Sequence, residues 1–202
     1  MNNQPLVHEN EARADILSRI RQGKPTPLPH PDVPIFPFPG DSVTNFETNL
    51  KNFSGELMRF DSRSDAIDWV RHNLISEGHT VFSSVNELKD FTTTSADYPD
   101  PHEANVIDIT IGEGILGVGE TGSVFVTDKS LGLPAAALFC TDLYLLLDHN
   151  AIVPSIQEAY NILDLRANRY GSFYSGPSAT ADIEAVHITG AQAELSLTVL
   201  LY

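Results

Sequence analysis

Short apolar segments of strand character alternate with amphipathic helical patterns along most of this chain of 202 residues. Between Ser62 and Gly78, for example, Ala66, Ile67 and Val70 recur at helical spacing. The same reasoning predicts helices at 9–21, 41–53, 62–74, 84–91 and 155–165, and strands at 56–60, 79–82, 106–111, 123–127, 143–153, 173–174 and 194–202. This alternation predicts an α/β domain with a mostly parallel, twisted sheet that is flanked by helices.

The last of these strands is strongly apolar. Within 194–202 only Glu194, Ser196 and Thr198 interrupt the run of apolar residues. A strand that is buried on both faces shows this kind of continuous apolar pattern. We therefore expect it to lie in the interior of the sheet.

The first 40 residues have a different character. A short amphipathic helix is predicted at 9–21, and the segment from Gly23 to Gly40 contains seven prolines. Neither a helix nor a sheet ladder tolerates prolines at that density. We therefore divide the chain into an N-terminal helix with a Pro-rich connector (1–40) and an α/β domain (41–202).

The charge of the chain excludes two classes of partner. Its formal net charge is -15, and it has 12 lysines and arginines against 27 aspartates and glutamates. Binding to nucleic acid or to an anionic membrane surface requires clustered cations. No nucleic-acid partner and no membrane insertion are expected. The first residues lack a basic region followed by an apolar core, so we expect the protein to be cytoplasmic.

Cys140 is the only cysteine. One copy of the chain therefore has no intrachain disulfide and cannot hold an iron–sulfur cluster through cysteines. The seven histidines form no His-x-His or His-Glu-x-x-His pattern, so no metal site is predicted. No cofactor is expected.

The glycine-rich segment Glu113–Thr127 is the first candidate site. Gly119 and Gly122 surround Glu120 and Thr121 just before a β-branched run. Glycines allow a ligand to approach the backbone closely, and loops at the mouth of an α/β sheet commonly hold ligands. A tight turn without a ligand explains the same pattern.

The segment from Gly176 to Glu184 is the second candidate site. It places Gly176, Ser178, Thr180 and Asp182 at a predicted strand-to-helix junction. Such residues cap a helix, and a helix start is also a ready site for a carboxylate or phosphate. On physical grounds, plain capping is the simpler reading.

If both segments lie at one end of the sheet, their polar side chains line one pocket. That pocket would contain Glu113, Glu120, Ser178, Thr180 and Asp182. Glu120 is the candidate catalytic residue, as a nucleophile or a general base. The candidate ligand-binding residues are Gly119, Thr121, Gly122, Gly176, Ser178, Thr180, Asp182 and Glu184.

The segments Gly117–Ser123 and Gly176–Glu184 resemble, in order and spacing, the two signatures of the LUD domain, a family that includes the lactate utilisation protein C group. The resemblance covers roughly 41–202. It implies a fold of the CoA-transferase and ribose-5-phosphate-isomerase type. It also implies a cytoplasmic role beside iron–sulfur proteins in the oxidation of L-lactate to pyruvate. Glu120-Thr121-Gly122 is similar to the nucleophilic glutamate of CoA transferases with that fold.

Two positions depart from the family pattern. Ala179 stands where an arginine is common in the second signature, and 190–193 lack the His-Gly-Pro that commonly follows. An arginine is the natural clamp for a carboxylate such as lactate. Because of these two departures, the resemblance does not establish that this chain binds the ligand typical of the family.

Three functions remain open at this stage. The first is an accessory component of lactate oxidation that binds a small carboxylate or a partner protein. The second is an enzyme that uses Glu120 to transform a CoA ester or a sugar phosphate. The third is a non-catalytic interaction module.

Overall fold

The computed structural model describes residues 7–26, 28–29, 31, 33–75, 78–182, 184–190 and 192–202. Within these ranges the helices are α1 (Val7–Gln22), α2 (Ser42–Asn52), α3 (Arg63–Asn73), α4 (Asp128–Leu131), α5 (Pro134–Phe139) and α6 (Ile156–Ile162). The strands are β1 (Glu56–Arg59), β2 (Val81–Ser83), β3 (Ile109–Glu113), β4 (Leu116–Val118), β5 (Ser123–Thr127), β6 (Asp142–Leu147), β7 (Ile152–Val153), β8 (Gly171–Tyr174), β9 (Ala179–Thr180), β10 (Ile188–Thr189) and β11 (Ser196–Leu201). Short 3-10 turns occupy Asn86–Leu88, Ser95–Asp97, Pro101–Val106 and His149–Ala151.

The chain divides into two compact units, Met1–Pro34 and Ile35–Tyr202. The first unit contains α1, which lies within two residues of the predicted helix at both ends. Arg19 and Asp15 form an exposed ion pair one turn apart on this helix, with a distance of 2.8 Å between Nη2 and Oδ2. All of the strands lie in the second unit.

A five-stranded sheet forms the centre of the second unit. Its strand order is β1-β11-β6-β3-β2, and all four pairings are parallel. The predicted α/β fold with a parallel sheet flanked by helices is therefore confirmed. Strand β11 pairs with β1 on one side and β6 on the other, so the predicted interior position is also confirmed.

The leucines of β6 show how the two faces of this sheet are covered. Leu143, Leu145 and Leu147 belong to one buried cluster, which also contains side chains of α2 and β5. Leu146 belongs to the opposite cluster, together with side chains of α3. Successive side chains of a strand point to opposite faces of the sheet, so the leucines of β6 contribute to the buried clusters on both faces.

A second sheet, with strand order β7-β4-β5-β8, was not predicted. Its β4 and β5 are antiparallel and joined by the turn 119–122, whereas β4 and β7 are parallel. Leu116 and Phe125 pack with Ala159 of α6 in a separate buried cluster. Strands β5 and β8 were predicted, at 123–127 and 173–174, but β4 was not, because the glycines around it obscure its apolar pattern.

The prediction of one continuous strand at 143–153 was wrong. Strand β6 ends at Leu147, and the chain enters the next sheet as β7 after a 3-10 turn. The carboxylate of Asp148 accepts a hydrogen bond of 2.8 Å from the backbone N–H of Asn150 and caps this turn. Aspartate competes with a sheet ladder in this way, so it ends the first strand.

Two predicted helices are also absent from the described residues. The region 84–91 forms only the 3-10 turn Asn86–Leu88. The helix expected after Gly176 is replaced by the antiparallel pair β9 and β10. Glu184 and Ala185 both have a φ of 56°, which a right-handed helix excludes. Ile183 and Ala191 lie outside the described residues.

None of the described helices combines the length and the apolar character that crossing a bilayer requires.

Candidate functional site

A cleft of about 560 Å³ lies between the two sheets, where β3 ends. In an α/β domain, ligands are commonly held outside the carboxyl ends of the parallel strands. Apolar side chains line one part of the cleft: Ile115, Leu116, Phe125, Ile162 and Leu163. Polar side chains line the other part: Ser84, Asn86, Glu113, Thr127, Lys129, Ser130, Asp164 and Asn168.

Glu113 is the one predicted candidate that lines this cleft. Its Oε1 lies 2.5 Å from Nη2 of Arg63, at the start of α3. The same guanidinium pairs with Glu87 at 2.9 Å and donates to the Tyr202 hydroxyl at 3.0 Å. The hydrogen bonds with Glu87, Glu113 and Tyr202 raise the pKa of Arg63, and the bond from Arg63 lowers the pKa of Glu87. Glu113 is thus held in one orientation by a cation that is itself fixed.

Lys129 is the cation on the polar side of the cleft. It is exposed, and it forms no ion pair within the described part of the chain. The backbone on either side of it is fixed, because Thr127 and Ser130 form a reciprocal cap with bonds of 2.8 and 3.1 Å. The hydroxyl of Ser84 donates to the carbonyl of Ser130 at 2.6 Å. Sequence reasoning missed Lys129 because an isolated lysine belongs to no motif.

The first signature forms the tight turn between β4 and β5. Asn49 of α2 donates through Nδ2 to the carbonyl oxygens of Gly119 (2.8 Å) and Glu120 (3.1 Å). Gly122 has a φ of 62°, and a Cβ there would collide with the backbone of Leu50. These glycines therefore allow the turn to pack against the end of α2.

Glu120 acts as a cap in this turn. Its Oε2 accepts a hydrogen bond of 3.0 Å from the backbone N–H of Ile156, the first residue of α6. A carboxylate at that position satisfies a free N–H group and interacts favourably with the helix dipole. The structure thus gives Glu120 a structural contact, and its predicted catalytic role stays a prediction.

The second signature begins beside the first. The Ser175 hydroxyl donates to the carbonyl of Thr121 at 2.7 Å. Gly176 has a φ of 79°, and a Cβ there would collide with the carbonyl oxygen of Phe53, the C-cap of α2. The two glycine corners therefore meet on the last turn of the same helix.

The remaining candidates of the second signature lie in the β9–β10 hairpin. The backbone of Ser178 donates to Glu194 at 3.2 Å and accepts from Gly190 at 2.6 Å. Thr180 donates through its hydroxyl to the Asp182 carboxylate at 2.5 Å, and Glu184 is exposed. These residues are not among those that line the cleft with Glu113. Their ligand-binding role stays a prediction.

A buried polar cluster lies at the opposite, amino edge of the five-stranded sheet. Glu194 is 3% exposed, and its Oε2 has no hydrogen-bond partner within the described part of the chain. Burial raises the pKa of Glu194 to about 7. Burial also raises the pKa of the nearby Cys140 thiol to about 12 and that of the Tyr174 hydroxyl above its ordinary value. No sequence motif pointed to this cluster.

Within the described residues, no three His, Cys, Asp or Glu side chains come together in a way that suits a metal ion.

The fold is shared with a solved protein of a named family. The chain is similar to the crystal structure of a DUF162 family protein from Deinococcus radiodurans, with a TM-score of 0.58 and 13% sequence identity. The match covers 79% of this chain and 95% of the other. At that identity the likeness shows the fold alone. A search of curated proteins found no match.

The sequence matches the LUD domain family over residues 6–202. The chain therefore belongs to the LUD domain family, and the resemblance drawn from the two signatures is confirmed.

Proposed function

We propose that this chain is a cluster-free accessory component of the cytoplasmic oxidation of L-lactate to pyruvate. In this role it works beside iron–sulfur proteins and binds a small organic carboxylate in the cleft. Membership of the LUD domain family supports the link to lactate. The single, buried Cys140 supports the division of labour, since clusters held by cysteines would have to reside in partner proteins.

The cleft is the observation that carries the binding part of the proposal. Lys129 offers an unpaired ammonium to a carboxylate, and the apolar wall around Phe125 suits the hydrocarbon part of the same ligand. The carboxylate of Glu113 can accept a hydrogen bond from a ligand hydroxyl. A hydroxy acid presents all three kinds of group.

The volume of the cleft indicates a ligand larger than lactate. Clefts of about 300–1,000 Å³ usually enclose ligands of drug size, and this one measures about 560 Å³. A three-carbon acid would leave much of the apolar wall in water. We therefore propose that the bound carboxylate carries a longer apolar or polar extension.

The accessory role is tested by affinity purification of the chain from cells grown on L-lactate. Recovery of cysteine-rich proteins with the absorption spectrum of iron–sulfur clusters is the expected result. A purified chain that converts lactate to pyruvate by itself would overturn the accessory role.

The binding site is tested by calorimetric titration with L-lactate and 2-hydroxyisocaproate, which has an isobutyl group in place of the methyl. Each buried CH₂ group contributes about 0.8 kcal/mol, so the larger acid should bind more tightly. Ile115→Asp places a negative charge at the cleft and should abolish the binding of both acids.

Ile188→Asp is the matched control. Ile115 and Ile188 are exposed to 47% and 45%, so both variants should fold, but Ile188 lies in the β9–β10 hairpin. Unchanged binding in Ile188→Asp is expected. A loss in Ile188→Asp with full binding in Ile115→Asp would move the site to the hairpin and refute the cleft.

A further inference from the structure

A second, smaller pocket of about 280 Å³ adjoins the cleft at the carboxyl end of β2. It shares Ser84, Asn86 and Lys129 with the cleft, so the two spaces have a common border. Lys89, which follows the 3-10 turn Asn86–Leu88, lines only the smaller pocket. Two lysines from distant parts of the chain therefore meet in one concavity.

The charges are distributed unequally between the two spaces. Glu113 and Asp164 line the cleft, whereas no carboxylate is among the residues lining the smaller pocket. This separation stands out in a chain with a net charge of -15. Lys89 and Lys129 therefore create a local positive field at the smaller pocket.

Neither lysine is neutralised within the described part of the chain. Lys51, by contrast, pairs with Glu47 at 2.7 Å. Glu87, which is close to Lys89 in sequence, pairs with Arg63 instead. Both ammonium groups on the smaller pocket therefore remain available to a ligand.

Hydroxyl groups complete the lining of the smaller pocket, and they come from Ser83, Ser84, Thr94 and Ser95. The hydroxyls of Ser83 and Ser84 donate to backbone carbonyls at 3.1 and 2.6 Å, which fixes the wall. The hydroxyl of Ser95 has no hydrogen bond within the described residues, so it is free to donate to a ligand. The Thr94 hydroxyl is bonded to the Asp97 carboxylate at 3.1 Å. Two ammonium groups together with the free hydroxyl of Ser95 suit a group with several negative oxygens.

We propose that the smaller pocket binds a phosphate group, and that the ligand of the cleft is a phosphorylated organic acid. The second half of this proposal rests on the proposed function, since it takes the carboxylate of the ligand to lie in the cleft. Lys129 then lies between the two anionic groups, and Lys89 contacts the phosphate alone.

The phosphate site is tested by calorimetric titration of the whole chain with inorganic phosphate at low ionic strength. One ammonium near a protein surface contributes about a fivefold change in affinity to a contacting anion. Lys89→Gln and Lys129→Gln should each weaken phosphate binding by about that factor. Lys51→Gln makes the same change of charge at a paired lysine and should bind phosphate as the unmodified chain does.

Two results would overturn the phosphate site. One is the absence of phosphate binding by the unmodified chain, and the other is equal weakening in Lys89→Gln and Lys51→Gln. The second result would mean that net charge, rather than the pocket, determines the affinity.

Glycerate and 3-phosphoglycerate test the link to the cleft, because they differ only by the phosphate. The phosphorylated acid should bind more tightly, and Lys89→Gln should remove most of that advantage. The carboxylate site alone would be refuted by two results together. Ile115→Asp would still bind phosphate, and neither the unmodified chain nor any variant would bind glycerate. Carboxylate binding without any advantage of the phosphorylated acid, together with no binding of inorganic phosphate, would refute the phosphate site alone.

Discussion

The two edges of the five-stranded sheet give a carboxyl group opposite environments. At the carboxyl edge, Glu113 is partly exposed and pairs with Arg63. At the amino edge, Glu194 is 3% exposed and has an oxygen without a partner in the described part of the chain. The first edge places its charges where a ligand can reach them, and the second encloses a carboxyl group whose Oε2 has no partner among the described residues.

The difference gives the two edges opposite responses to pH. The hydrogen bond from Arg63 lowers the pKa of Glu87, so its contribution to stability is present above the ordinary pKa and is lost as the pH falls. Burial raises the pKa of Glu194, so the folded form holds a proton that the unfolded form releases. The carboxyl edge is weakened by acid, and the amino edge is weakened as the pH rises towards 7.

Replacing the ionisable group of Glu194 should have the largest effect on the pH dependence of stability. Its pKa moves from an ordinary value near 4.5 to about 7, so the free energy of unfolding should fall by about 3 kcal/mol between those pH values. Glu194→Gln cannot ionise and should lose this dependence. Urea denaturation at pH 5 and pH 8 measures the pH dependence of the unmodified chain and of Glu194→Gln. Glu184→Gln, at an exposed position, is the control. Parallel pH profiles for Glu194→Gln and the unmodified chain would show that Glu194 is not the source.

Removing Arg63 should have an intermediate effect. Arg63→Gln leaves Glu87 and Glu113 without their cation and should lower the free energy of unfolding at pH 7 by about 1 kcal/mol, because the pairs are partly exposed. The loss should shrink in acid, because Arg63 lowers the pKa of Glu87 and the contribution of this pair to stability disappears as Glu87 takes up a proton. Arg59→Gln removes a more exposed arginine that pairs with one carboxylate, Glu47, and should cost less. Equal losses for the two variants at pH 7 would contradict a special role for the Arg63 cluster.

Changing Glu120 should have the smallest effect. If this carboxylate only caps α6, Glu120→Gln keeps an oxygen that accepts from Ile156 and should cost less than about 1 kcal/mol. Glu120→Ala removes that oxygen and should cost about 1 kcal/mol. Thermal denaturation measures both changes. Unaltered binding of the carboxylate ligands in Glu120→Gln is expected, and a complete loss would restore Glu120 as a functional residue.

The parts of the fold that follow from local pattern were predictable. The leucine-rich runs of β6 and β11 and the capped helix α3 satisfy simple periodicity rules, and they define the parallel sheet. The second sheet was missed because β4 contains Gly117 and β7 is only two residues long. The hairpin of the second signature was missed because hydroxyls and acids favour turns and caps equally.

The site could be predicted only in part, because the fold brings together residues that are distant in sequence. Glu113 was recognised because it opens the glycine-rich segment that follows an expected strand. Lys89 and Lys129 carry no motif, and they meet only because the segments after β2 and β5 lie on the same side of the molecule. Arg63 likewise joins Glu87 and Glu113 through contacts that are distant in sequence.

Because Cys140 is buried, its rate of chemical modification reports how often the surrounding structure opens. The thiol is 2% exposed, and burial raises its pKa to about 12, so a reagent that attacks thiolates should modify it only when the surrounding structure opens. Alkylation of this single thiol therefore measures how fast the amino edge opens, because each molecule is labelled only once. Mass spectrometry of the labelled chain then gives the opening rate without a mutation.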